Sequence, residues 1–166
     1  MRRLAAGAVV LTLLAGCFGP DPNLSEGGKG LPVLSVDFPP TVEAGSTAMA
    51  TLSVENPGPG DMSSVVVAFA SVGVAAASGP LPAELVPLGA GRDDSAIESV
   101  RPAPRSVSDD GVIYVFDGLR EGESLEVTFS IRVPDDPGPA ANSGSVYAGD
   151  ESDRIRGLRL ETEVRG

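Results

Sequence analysis

Ser124-Leu125-Glu126-Val127-Thr128-Phe129-Ser130-Ile131-Arg132-Val133 is the stretch on which the fold turns. Leu125, Val127, Phe129, Ile131 and Val133 alternate strictly with polar residues. A period of two puts one set of side chains on a buried face and the other in water, as in a half-buried strand; a helix would space its apolar residues by three and four. The same alternation recurs. Ala48, Ala50, Leu52 and Val54 interleave with Met49, Thr51, Ser53 and Glu55, and Leu158, Leu160, Thr162 and Val164 with Arg159, Glu161, Glu163 and Arg165. Leu34, Val36 and Phe38 begin the body in the same way.

Two further segments, 65–70 and 112–116, are apolar on both faces and rich in β-branched and aromatic residues, which predicts central strands. Weaker strands are expected at 84–88, 97–100 and 145–147. Turn signals separate these runs. Asn56-Pro57-Gly58-Pro59-Gly60 cannot extend a ladder, Asp109-Asp110-Gly111 reads as a hairpin turn, Asp117-Gly118 reads as the end of a strand, and Asp135-Asp136-Pro137-Gly138-Pro139 reads as another break. No stretch shows a sustained helical period. The expectation is an all-β chain, an antiparallel β-sandwich of about seven to nine strands over 33–166. The stretch 89–105, with three Arg, two Asp and two Pro, is expected to be a long loop or an edge excursion.

The amino terminus has a different logic. Arg2 and Arg3 precede an uncharged run of 13 residues, Leu4 to Gly16. A spanning helix needs roughly 20 apolar residues, so this run has the length of a signal-peptide core. It closes on Leu14-Ala15-Gly16-Cys17. These four residues resemble the lipobox of bacterial lipoproteins at every position. The resemblance implies that the Cys17 thiol receives a diacylglyceryl group, that cleavage removes 1–16, and that the acylated cysteine begins the mature chain. Cys17 is the only cysteine, so no intrachain disulfide competes for it. Two acyl chains suffice for stable membrane attachment. Residues 17–32 follow as a lipidated cysteine and a flexible Gly/Pro-rich tether. About 14 residues reach at most ~46 Å extended and ~20 Å as a coil.

Composition excludes several functions. The chain of 166 residues has no His and no Trp, which removes imidazole-based catalysis, imidazole metal ligands and Trp sugar-stacking platforms. Its net charge is −11. Losing Arg2 and Arg3 with the signal leaves ten basic side chains against 23 acidic ones, a balance of −13. Such a body does not bind nucleic acid and is repelled by anionic lipid, so the lipid anchor alone would hold it.

The order of signals in the body resembles bacterial surface Ig-like domains, namely the conserved repeat domain of bacterial surface proteins and the bacterial cell-adhesion-related domain. The pieces are Val36-Asp37-Phe38-Pro39-Pro40 with Ala44-Gly45-Ser46, then Leu52 to Gly60 with its Asn56, the strand 65–69, and Leu81-Pro82-Ala83-Glu84-Leu85. Leu119 to Val127 and Pro134 to Gly138 with Asn142 and Val146 complete the order. The resemblance covers about 33–165. It implies an Ig-like sandwich in an envelope setting and no catalytic residue. This chain departs from it by carrying a single copy and by its 89–105 insert.

Candidate sites are few. Gly122-Glu123-Ser124-Leu125-Glu126 lacks the last Gly of a nucleophile elbow and enters a strand, so no catalytic residue is assigned and no enzyme is expected. Arg92, Asp93, Asp94, Arg101 and Arg105 form a candidate partner-binding loop. Asp109, Asp110, Asp135 and Asp136 are weak Ca²⁺ candidates without EF-hand spacing, so no metal and no cofactor is assigned. The expected role is that of a cell-envelope lipoprotein on the extracytoplasmic side, anchored through Cys17 to the outer face of the cell membrane, or to an outer membrane where the cell has two. It would present an Ig-like module for binding, adhesion or scaffolding to a protein or envelope partner. The alternatives are an accessory lipoprotein subunit of a transport or secretion complex and, less favoured, an extracytoplasmic hydrolase.

Overall fold

The structure, a computed structural model, describes residues 31–71 and 81–166. The expected signal segment, Cys17 and the expected tether up to residue 30 lie outside the described residues, as do 72–80. The described residues form eleven strands and no helix: β1 (Val33–Asp37), β2 (Thr41–Glu43), β3 (Thr47–Glu55), β4 (Met62–Ala70), β5 (Ala83–Glu84), β6 (Ile97–Arg101), β7 (Ser106–Val107), β8 (Ile113–Leu119), β9 (Ser124–Arg132), β10 (Gly138–Ala148) and β11 (Arg156–Arg165). One sheet has the order β1-β3-β9-β6, and the other β2-β11-β10-β4-β8-β7, with β5 beside β10. The pairings are antiparallel except for two short parallel ones, β2 with β11 and β5 with β10. The fold is an Ig-like β-sandwich.

The period of two accounts for the core. Along β3 the inward residues Ala48, Ala50, Leu52 and Val54 are buried, and on the adjacent β9 Ile131, Phe129 and Val127 lie beside them on the same inner face. The double-faced segments became β4 and β8, which pair with each other inside the larger sheet. Phe69, Tyr114 and Phe129 form an edge-to-face cluster between the sheets, with centroids 5.2 to 6.2 Å apart. Each large apolar side chain fully buried here stabilises the fold by roughly 1.5–3 kcal/mol relative to exposure.

Several local expectations are corrected. Asp117-Gly118 does not end a strand, because β8 runs on to Leu119. Glycine is needed at 118 since a Cβ there would collide with the Met62 carbonyl. The 84–88 strand shrinks to Ala83–Glu84, and Leu85 and Val86 turn into the core instead. The 145–147 strand grows to eleven residues, because Pro139 to Gly144 pair with β11 despite poor strand propensity. Gly144 lies so close to the Ala68 backbone that no larger residue fits, so tertiary packing overrides local preference. The short β2 and β7 carried no signal of their own.

Both ends of the sandwich are fixed by register. Val33 pairs with Glu55 and Thr47 with Arg132, so the chain enters at the end where β3 finishes. The 120–123 and 149–155 turns lie at this same end, and Arg156 Nε donates to the Pro32 carbonyl at 3.0 Å. The β2–β3 turn, the β9–β10 turn and the start of β6 lie at the other end, roughly 26 Å away along nine strand residues.

Candidate functional site

The far end is built by the insert. After β5 the chain crosses to the smaller sheet, forms β6 against β9 as its edge among the described residues, and returns to the larger sheet as β7 and β8. Residues 89–105 are therefore an edge strand with flanking turns. Asn142, 1% exposed, ties down the start of this excursion. Its Oδ1 accepts from the Val86 amide at 2.6 Å, and its Nδ2 donates to the carbonyls of Val86 and Ala70, both at 3.1 Å.

Two clefts flank the Arg92–Ser95 turn. The first, of about 500 Å³, lies between β6 and the β7–β8 edge. Its apolar walls are Ile97, Val100, Pro104 and Val107, with Tyr114 behind them. The second, of about 530 Å³, opens at the far end between Glu84, Leu85, Pro134 and Asp135. Asp93 and Arg132 line both. Arg132 Nη2 donates to the Ser95 carbonyl at 3.3 Å, so the turn stands as a septum between them. Arg92 lies against the β7–β8 turn, where a Cβ on Gly111 would meet its Cα at 3.1 Å.

The electrostatics follow from this packing. Burial pushes the Tyr114 hydroxyl above its ordinary value; a hydrogen bond with Ser95 and the Arg92 charge pull the other way. Tyr114 Oη donates to the Gly111 carbonyl at 2.7 Å, which keeps it neutral and fixed. The first cleft is lined by Asp93 and Glu98 with Arg92 and Arg132, a balanced set, and the second by Glu84, Asp93, Asp94 and Asp135 with Arg132.

The structure divides the candidate residues. Arg92, Asp93 and Asp94 stand together, exposed, at the far end. Arg101 ends β6, and Arg105 pairs with Asp117 at 3.5 Å on the side of the sandwich. The Ca²⁺ candidates fall in two turns, Asp109 and Asp110 before β8 and Asp135 and Asp136 before β10. Among the described residues no group of three or more His, Cys, Asp or Glu is placed to hold a metal ion. Asp110 is instead bonded to Ser108 within its own turn. Arg132 and Glu84 were not singled out in the sequence. The only signal for Arg132 is its place as the last outward residue of the alternating strand.

No family model matches the sequence. No curated protein matches it either. Solved structures of similar fold exist. A PapD-like domain of human CEP192 is 16% identical, with 99% of this chain and 97% of that one covered at a TM-score of 0.43. The CARDB domain of the PF1109 protein from Pyrococcus furiosus, solved with di-metal ions, is 14% identical over 81% and 90% at 0.45. The bacterial hydrophobin BslA is 9% identical over 80% and 98% at 0.46. These are likenesses of fold.

Proposed function

We propose that this chain is a non-enzymatic envelope lipoprotein whose sandwich presents its far end to a protein partner. The observation that carries the reading is the separation of the two ends. The tether joins β1 beside Glu55, whereas Arg92, Asp93, Asp94 and both clefts lie at or toward the opposite end. A body held through lipid on Cys17 then has its most accessible loops farthest from the headgroups. The acidic balance favours this pose, because an anionic surface repels the body and the tether keeps it lifted. The clefts combine apolar walls with a charged rim, the composition of a protein-recognition surface.

The anchor is tested by Cys17→Ser. The unsubstituted protein is expected in the membrane fraction and the variant in a soluble or unprocessed form. A variant that stays membrane-bound with unchanged mobility contradicts the anchor. Partner recognition is tested by mild crosslinking of intact cells. Reversing Asp93 and Asp94 to Lys should reduce the captured partner; unchanged capture, with the protein folded, contradicts a role for this end.

A further inference from the structure

We propose that the outer face of the smaller sheet takes a second copy of this chain, stacked face to face about a two-fold axis that runs along the strands between β3 and β9. The inference goes beyond the far-end reading and leaves that end open; it rests on the lipid anchor only for the local concentration of the copies.

The register sets the charge pattern. Asp37 pairs with Thr51, Thr51 with Thr128, and Thr128 with Arg101. Directly opposed residues of paired strands share a face. This is the one row in which all four strands of the sheet are joined. From one edge to the other it reads acid, hydroxyl, hydroxyl, base. Asp37 and Arg101 are exposed, and neither has an ion-pair partner among the described residues. Three strand spacings of about 4.8 Å hold them roughly 14 Å apart within one chain, too far to meet.

A two-fold contact joins a patch to itself. With the axis along the strands, left and right exchange, so β1 of one copy lies toward β6 of the other and β3 lies over β9. Each Asp37 then faces Arg101 of the second copy, and the pair forms twice. Thr51 faces Thr128. Further along, Met49 meets Ser130, Ser53 meets Glu126 and Thr47 meets Arg132. In none of these rows does a charge meet its like. An axis across the strands at the same row instead sets Asp37 on Asp37 and Arg101 on Arg101, an arrangement that repulsion disfavours. The outward side chains at the centre of β3 and β9 are mostly Ser and Thr. They let the sheets approach with little rotamer freedom to lose. Met49, 52% exposed, is the one large apolar side chain of these two strands left in water.

The same axis decides how the pair stands. It keeps like ends together, so both chains enter at Val33 on one side and both tethers reach one membrane. The two Arg92–Asp94 turns point away from it together. The face measures roughly 26 Å along β3 by 14 Å across. That is about 400 Å² a copy, half of the ~800 Å² per partner of a standard interface, so the pairing is weak in solution and grows when anchoring concentrates the copies.

The test uses the full-length, lipidated protein in phosphatidylcholine vesicles. One batch carries Thr51→Cys and a second, mass-tagged batch carries Thr128→Cys. The two are mixed and treated with a bifunctional thiol reagent spanning about 10 Å, the face-to-face distance of stacked sheets. A mixed adduct between positions 51 and 128 is expected. Asp37→Arg and Arg101→Asp should each reduce it about tenfold, and the two together should restore it. Glu163, exposed on the outer face of the larger sheet, supplies the collision control as Glu163→Cys in both batches. No mixed adduct, an adduct no stronger than the Glu163→Cys control, or no restoration by the double swap overturns the inference. Flotation of the same vesicles reads the anchor separately. Protein that floats without forming the adduct loses the pairing and keeps the anchor. Protein that does not float loses the anchor, and the same adduct measured in concentrated solution then decides the pairing.

Discussion

Asn142 and Val86 are joined twice: the Val86 amide donates to Asn142 Oδ1 at 2.6 Å, and Asn142 Nδ2 donates back to the Val86 carbonyl at 3.1 Å. The same Nδ2 reaches the Ala70 carbonyl, so one side chain in β10 holds the end of β4 and the start of the insert. The pair converts a sequence without strand pairing, Leu85-Val86, into a buried plug whose backbone is satisfied.

Asn142→Ala should therefore be among the costly single changes. It strands the Val86 amide and carbonyl inside the sandwich, and each buried group left unpaired costs about 1–3 kcal/mol. Denaturant titration should show a loss of about 3 kcal/mol. Amide exchange at Leu85 and Val86 should speed up more than at β3, because the insert loosens before the core does.

Tyr114 gives a pH dependence of known sign. Burial raises its hydroxyl above 10.0, so the folded state keeps it neutral. Its contribution is fully present below the unfolded value of about 10 and is lost as pH rises through the folded value. Tyr114→Phe should lose about 1 kcal/mol at neutral pH through the missing bond to Gly111. It should also flatten the fall in stability above about pH 10, measured by denaturant midpoints across pH. An equally steep alkaline fall in the variant contradicts this account of Tyr114.

Thr162 offers the opposite change. It occupies an inward position of β11, is 7% exposed, and its hydroxyl has no hydrogen-bond partner. Thr162→Val keeps the shape and removes the orphaned group, so stability should rise by about 1 kcal/mol. Thermal melting of the two forms reads this directly.

Gly118 tests the close approach of β8 and β4. A Cβ there would collide with the Met62 carbonyl and sit 2.8 Å from that of Ser63. Gly118→Ala should destabilise by about 2 kcal/mol through forced separation of the strands. Gly122→Ala is a useful comparison: nothing lies within 4 Å, so its cost comes from the backbone φ of 77° alone.

How much of this was legible follows from what each element depends on. β3, β9 and β11 carry the period of two because one face is buried and the other wet, and that pattern is written in single residues. β4 and β8 announced themselves by being apolar on both faces. β10 did not, because its Ala, Asn, Ser and Gly are chosen by contact with neighbours on both sides, as Gly144 against Ala68 shows. The motifs Asn56 to Gly60 and Leu119 to Val127 were visible as patterns, but their physics needed coordinates. Asn56 Nδ2 donates to the carbonyls of Gly60 and Leu119, and the Arg120 amide donates to Glu123 Oε2, so the two motifs hold adjacent turns of the near end. At the far end the sequence pointed to 89–105 as distinctive. It did not show that Arg92 to Asp94 would part from Arg101 and Arg105, since that division is made by where β6 begins and ends.

The central claim is that the end bearing Asp94 meets the partner while the end bearing Asp153 faces the membrane side. A photo-crosslinking residue placed singly at Asp94 and at Asp153, both exposed, measures this in intact cells. The account predicts a protein adduct from position 94 and none from 153. An adduct from 153 with none from 94 would contradict it.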